Sequence, residues 1–331
     1  MKRRELIYLA GSAALIGGAW PHMATAQQAV TPKRIGFLPL GSPSNSYDQS
    51  LVEAFRKGLR DVGLVEDRDL TIEVVWVRNE SDFPAAVSNL IQRGATVLVT
   101  AGSSASSAAK HHTSAVPIVF VAVGNPVGIG LVDTLARPGG NATGFSDVLA
   151  DLSTKYVDFA LQLGRPRAAI SYLWHTAWPD GENRFKATER ATQSVGVGLL
   201  SRGITDISEA DDALGAVKNE DAKVLIIQPS PFTYRHRNRL ISSAQSHGLG
   251  TIFAWPQTGK EGALIGYGPD HAHMHGQVGS YILRILKGAK PADLPVQEPT
   301  KYALVINLQT AKTLGLTIPP ALLASADELI E

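Results

Sequence analysis

Thr96-Val97-Leu98-Val99-Thr100-Ala101-Gly102-Ser103-Ser104-Ala105-Ser106-Ser107 carries three signals in one stretch. The run Thr96–Thr100 lacks polar alternation, as expected of a parallel strand covered on both faces. A glycine turn follows, and the serines lead straight into a helix. The same pattern repeats outward from here. Similar apolar runs stand at Arg34–Leu38, Leu70–Val77 and Pro117–Val123, then at Ala168–Leu173, Val197–Arg202, Val224–Gln228 and Thr251–Ala254. Between the first two, Leu51, Phe55, Leu59 and Val62 mark one face of a helix near Tyr47–Val62. Strand starts at 70, 96 and 117 are 26 and 21 residues apart, and those at 168, 197, 224 and 251 are 29, 27 and 27 apart. Each interval suits one β-α unit.

The chain therefore reads as two doubly wound parallel-sheet α/β domains of Rossmann-like plan, with a hinge and an interdomain ligand cleft. A length of 331 residues allows about two domains. The break falls near Pro138-Gly139-Gly140, with the strand-like Asn141–Ser146 and Gly262–Tyr267 as crossovers. The first domain is expected at 33–145 plus about 268–300, and the second at 146–267 plus about 301–331. Several connecting strands, rather than one linker, would hinge around the cleft.

Composition narrows the function. With 44% hydrophobic and 18% charged residues, the chain is neither disordered nor collagen-like. The balance of 31 Lys+Arg against 30 Asp+Glu gives no basic excess for nucleic acid. The absence of cysteine excludes disulfides, thiolate metal sites and a Cys nucleophile. Residues 1–26 read as an export signal: Lys2, Arg3 and Arg4 precede an apolar run Leu6–Trp20 and the small-x-small site Ala24-Thr25-Ala26. The apolar run is short for a membrane span, and Arg3-Arg4 hints at the twin-arginine route. Removing Lys2, Arg3, Arg4 and Glu5 leaves 28 basic against 29 acidic residues. Export without cysteine fits a soluble periplasmic protein.

Ligands of such sheets sit beyond the carboxyl ends of the strands. That selects the loops Pro39–Tyr47, Ala101–Ser107 and Gly124–Gly128. Gly102-Ser103-Ser104 allows close backbone approach and turns the free amides of a helix start toward an anion, with Ser103 as the cap; the same residues also read as a plain N-cap. Tyr47, Trp174, Trp178, Phe232, Trp255 and Tyr267 lie on loops or strand ends, where aromatics stack on ligands or fill hinges. Asn125 and Asp147 are candidates to receive an ammonium or hydroxyl, and equally turn formers. His271, His273 and His275 read as a solvated helix face rather than a metal site. Gly128-Ile129-Gly130 lacks the third glycine of a dinucleotide loop, Gly259-Lys260-Glu261 lacks the P-loop hydroxyl, and Gly144-Phe145-Ser146-Asp147 is no nucleophile elbow. No catalytic residue, cofactor or metal is expected.

Several longer stretches carry a family resemblance: Pro117–Phe120, Gly124–Gly128, Leu135–Ser146, Tyr267–Pro269, Ile285–Val296, Ile306-Asn307 and Ala311–Leu316. Together they resemble the ABC transporter substrate-binding proteins of the tryptophan/aromatic amino acid-binding type, within the periplasmic binding protein type I fold. The resemblance implies a non-enzymatic receptor that closes on a small-molecule ligand and docks on a membrane permease with its ATPase subunit. It assigns Gly102, Ser103 and Ser104 to a ligand carboxylate and places Ser42, Ser46 and Tyr47 along the same cleft. Asn125 stands where many members carry Asp, and Trp174-His175-Thr176 replaces a common Asn-Pro. The reading is a monomeric periplasmic receptor for an amino acid, aromatic or branched, or an aromatic acid. Tyr47, Trp174, Phe232, Trp255 and Tyr267 would enclose its body, and Asn125 would read a second polar group. The rivals are an exported sensing module for a membrane signalling partner and an exported hydrolase using His111, His112 or His175 as base.

Overall fold

Every interior strand of the first sheet is apolar on both faces, which explains the missing alternation. Ile35 and Phe37 on one strand, Val97 and Val99 on the next, and Val119 and Val121 on a third face one core. Leu38, Leu98, Ile118 and Phe120 face the other. The computed structural model describes residues 32–147, 152–164, 169–218 and 222–331. The export segment 1–26 and Ala168 lie outside the described residues.

The first sheet has order β2-β1-β3-β4-β5, all parallel, from β1 (Lys33–Leu38), β2 (Leu70–Val74), β3 (Val97–Ala101), β4 (Ile118–Val123) and β5 (Ala142–Ser146). Helices α1 (Ser46–Asp61), α2 (Phe83–Gln92) and α3 (Ser103–His112) connect its first four strands. The second lobe adds α4 (Ser153–Gly164), β6 (Ala169–His175), α5 (Gly181–Ser194), β7 (Gly198–Ile204) and α6 (Ala210–Lys218). It continues through β8 (Val224–Ile227), α7 (Pro231–Arg235), α8 (Arg237–Ser246), β9 (Gly250–Phe253) and α9 (Pro256–Lys260). After β10 (Ile265–Pro269) come α10 (His271–Leu286), β11 (Tyr302–Asn307), α11 (Leu308–Thr313), α12 (Pro320–Ala324) and β12 (Glu328–Ile330). The second sheet runs β12-β11-β10-β9-β8-β6-β7, and β10–β11 is its one antiparallel pairing among the described residues.

Two expectations are refined. The strand expected to Val77 stops at Val74, the partner of Phe37, with Val75 N–H making the last bond to β1, at Phe37 O (2.8 Å). The two segments read as crossovers are full sheet strands, β5 and β10, each ending where the chain changes lobe. A third passage follows α10: Gln297 N–H donates to Gly144 O (2.9 Å) and Gln297 O accepts from Ser146 N–H (2.8 Å), before the chain enters β11. The Asp270 N–H donates to Lys301 O at 3.0 Å, so two passages are bonded side by side.

After β10 the chain returns to the first lobe, where α10 lies against α1. Glycine sets their approach: a Cβ on Gly58 would stand 1.9 Å from Gly276 O, and one on Gly279 would stand 2.4 Å from Gly58 O.

At the start of α1 the lobes are joined by buried charge. Asp48, in the first turn of α1, receives Tyr234 Oη (2.8 Å), Arg237 Nη2 (2.9 Å) and the Ser42 amide (2.8 Å). Arg237 Nε also donates to Glu261 Oε2 at 2.7 Å, and Asn45 Nδ2 reaches Glu261 Oε1 at 3.1 Å. The Arg237 guanidinium lies 4.3 Å from the Tyr234 ring centre. Burial pushes the Asp48 carboxyl above its ordinary range, against the opposing pull of Arg237 and the hydrogen bonds.

Gly58→Ala should lower stability by about 1–3 kcal/mol through overpacking. Gly276→Ala should be neutral or stabilising by up to about 1 kcal/mol, since its Cβ meets nothing nearer than Ala54 O at 3.7 Å; thermal denaturation of both separates the two. Arg237→Met strands Asp48 and Glu261 and should cost the closed arrangement about 3–5 kcal/mol. The check is a larger radius of gyration by small-angle scattering with unchanged far-UV circular dichroism.

Candidate functional site

The carboxyl ends of β1, β3, β4 and β5 in one lobe, and of β6, β8 and β9 in the other, deliver loops to one cavity. Leu40, Gly102, Ser103, Ala122, Gly124 and Asp147 face Trp178, Arg184, Pro229, Ser230, Pro231 and Trp255, with His271 from the start of α10. About 30 Å³ of this cavity is open to a water-sized body, room for about one or two waters. A wider space of about 390 Å³ shares Ser103 and Trp178 with it and is lined further by Ser104, Ser107, His111, Asn183 and Glu80. A ligand larger than a few atoms therefore uses the wider space as well, or needs the lobes further apart than they stand here.

Local sequence places each group. Gly102, at φ +81°, takes the cap position of α3, which only glycine adopts readily. Ser103 is thus the first helical residue rather than the cap, and it lines the cavity instead. Ser106 Oγ ties the turn by donating to Gly102 O at 2.7 Å. Across the cleft, fully buried Gln228 donates to Gly181 O at 2.9 Å and accepts from His175 N–H at 3.3 Å, which fastens the start of α5. One turn into α5 stands Arg184, 4% exposed and paired through Nε with Asp180 Oδ2 at 3.0 Å. The guanidinium lies 5.2 Å from the Trp178 ring centre.

Three buried polar atoms at this cavity have no hydrogen-bond partner among the described residues: Arg184 Nη1, Asp147 Oδ1 and His271 Nε2. His271 Nε2 stands 3.7 Å from Asp147 Oδ2, too far for a hydrogen bond. Buried polar atoms are ordinarily paired. A cation and a carboxylate, each with a buried atom unspent, therefore face a space walled by Trp178 and Trp255. Chemically, such a space takes a small molecule bearing both an anionic and a cationic end.

The residues singled out in the sequence separate into groups. Gly102, Ser103 and Trp255 line the inner cavity, and Ser104 lines the wider space. Asn125 is turned to protein: its Oδ1 accepts from Gly128 N–H at 2.9 Å and its Nδ2 donates to Asp180 Oδ1 at 3.3 Å. Ser42 gives its amide to Asp48, its hydroxyl oxygen accepts from Ser44 N–H (3.2 Å), and Ser46 is exposed. Tyr47 is half-buried, its phenol pushed up by burial and by Asp270. Three aromatics expected around the ligand are occupied elsewhere. Trp174 stacks on Phe185 (5.1 Å), Phe232 on His175 (4.2 Å), and Tyr267 packs edge-on against Phe159 (5.3 Å) beside Tyr302. The solvated histidine face is also corrected: His271 and His275 are 3% and 2% exposed. Burial lowers the His275 imidazole to about 4, so it stays neutral while its Nδ1 bonds His271 O at 2.7 Å.

Arg184 was not singled out. It sits in a polar helix beside Lys186 and Arg190, and only the i, i+4 spacing from Asp180 was available as a signal.

A profile of the ABC transporter substrate binding protein family matches residues 44–330. A tyrosine-binding protein of Clostridioides difficile (strain R20291) is 23% identical over 269 residues, covering 80% of this chain and 76% of that one. The crystal structure of an ABC domain in complex with L-Trp from Streptococcus pneumonia superposes with a TM-score of 0.82 at 22% identity, covering 91% of this chain and 100% of that one. A conserved domain protein of Vibrio cholerae superposes with a TM-score of 0.83 at 23% identity, covering 90% and 100%. These likenesses show the fold, two α/β lobes of the type I periplasmic binding protein kind. The chain belongs to the ABC transporter substrate-binding protein family.

Proposed function

We propose that the chain is a non-enzymatic periplasmic receptor that closes on a free α-amino acid with an apolar or aromatic side chain. The single observation carrying this reading is the pair of unspent buried atoms of opposite charge, Arg184 Nη1 and Asp147 Oδ1, in one cavity. Arg184 and the first amides of α3 beside Ser103 receive the α-carboxylate. Asp147 receives the ammonium, supplying the charge that Asn125 lacks. Trp178, Trp255 and Pro231 flank the side chain. The relatives described as binding tyrosine and L-Trp support the ligand class. An aromatic acid without an amino group would satisfy Arg184 and leave Asp147 stranded, at a cost of about 1–3 kcal/mol. The loaded receptor then docks as a monomer on a membrane permease driven by its ATPase subunit, after export directed by residues 1–26.

Closure follows from differential affinity, because both ends of the ligand find partners only when the lobes meet. In a thermal-shift panel, an amino acid at about 100 times its dissociation constant should stabilise the chain by about 2.7 kcal/mol. Calorimetry tests the assignment: Asp147→Asn should weaken amino-acid binding roughly 10- to 100-fold while sparing the matching acid that lacks the amino group. Parallel loss for both compounds would sink the ammonium assignment. A wild-type chain that binds no amino acid would sink the ligand class.

A further inference from the structure

Asp180 belongs to the second lobe and uses both carboxylate oxygens. Its Oδ2 takes Arg184 Nε at 3.0 Å. Its Oδ1 takes Asn183 Nδ2 at 3.2 Å and, from across the cleft, Asn125 Nδ2 at 3.3 Å. Asn125 cannot turn its amide over. Its Oδ1 is held by the Gly128 N–H at 2.9 Å, and a flip would set that N–H against the NH₂ group and the amide oxygen against a carboxylate. Beside it, Gly124 forms a seat: a Cβ there would stand 1.8 Å from Arg184 Nη2. In the closed form, then, Nε is bonded and Nη2 lies against first-lobe backbone, while Nη1 remains without a partner at the cavity. When the lobes part, the Asn125 bond and the Gly124 seat are both withdrawn.

Taking Arg184 as the partner of the ligand carboxylate, we propose that Asn125 and Asp180 are positioning residues that couple lobe closure to carboxylate recognition. Asn125 never touches the ligand. Through Asp180 it fixes the guanidinium so that a carboxylate meets it in bonding geometry only when the lobes are closed.

The test pairs L-tryptophan with L-tryptophanamide, and L-leucine with L-leucinamide, in titration calorimetry of wild type, Asn125→Asp and Asn125→Ser. Asn125→Asp keeps the shape and the bond from Gly128 but sets a carboxylate against Asp180. Asn125→Ser keeps an acceptor for Gly128 and removes the donor to Asp180, which guards against a folding defect in one variant. In wild type the acid should bind at least tenfold tighter than its amide. Both variants should weaken the acid by about tenfold or more, leave the amide within about twofold, and show incomplete closure by scattering at saturating acid. Equal weakening of acid and amide, or no change in either, overturns the coupling while leaving the carboxylate assignment standing. A wild-type chain that binds acid and amide equally overturns the Arg184 assignment, and the coupling with it.

Discussion

Two arginines are buried between the lobes, and how each is paired organises the rest of the structure. Removing a guanidinium from water costs several kcal/mol unless its donors are met. Arg237 is met by Asp48, Glu261, the Tyr234 carbonyl and the Tyr234 ring. Arg184 is met by Asp180 at Nε and by the Trp178 ring, but its buried Nη1 has no hydrogen-bond partner among the described residues. The first is a contact the protein completes by itself. On the proposed reading the second is completed by the ligand. One site therefore ties the lobes together by itself, and the other, as proposed, makes that arrangement respond to a ligand.

Much of the scaffold was legible because parallel strands covered on both faces leave a simple trace. Ile35 and Phe37 fill one core while Leu38 fills the other, so the run is apolar throughout and its boundaries are plain. The helix expected near Tyr47–Val62 is α1, Ser46–Asp61, with its apolar stripe on the core. The roles of β5 and β10 were harder to read, since a strand pairing in a sheet and a strand passing between lobes look alike until the pairing is known.

The site was legible only in part, for a different physical reason. The loops at strand ends follow from topology, so Gly102, Ser103 and Trp255 were reachable. Aromatics were not, because a tryptophan beside a strand serves a ligand or a neighbour equally well, and Phe185 takes Trp174. Arg184 was hidden because charge on a polar helix signals solvent. Its burial follows from Gln228 fixing the start of α5 and from Gly124 having no side chain, two facts far apart in sequence. His271 and His275 were misjudged for the same reason: His271 turns to the cavity beside Asp147 and His275 to the core near Phe37.

The energetics of closure follow from these pairings. Closing without ligand leaves Arg184 Nη1 and Asp147 Oδ1 buried and unmet, at about 1–3 kcal/mol each. Moving a two-state equilibrium from 1:99 to 99:1 takes about 5.5 kcal/mol of differential affinity. A ligand that satisfies both atoms removes about 2–6 kcal/mol of strain from the closed form, which is the same order. The Asp48–Arg237 contact adds to closure whether or not ligand is present, so its strength has to be limited. Burial opposes the charge on Asp48, which offsets part of the attraction to Arg237. A receptor that must release its cargo needs such a contact to fix the geometry while the ligand decides the population.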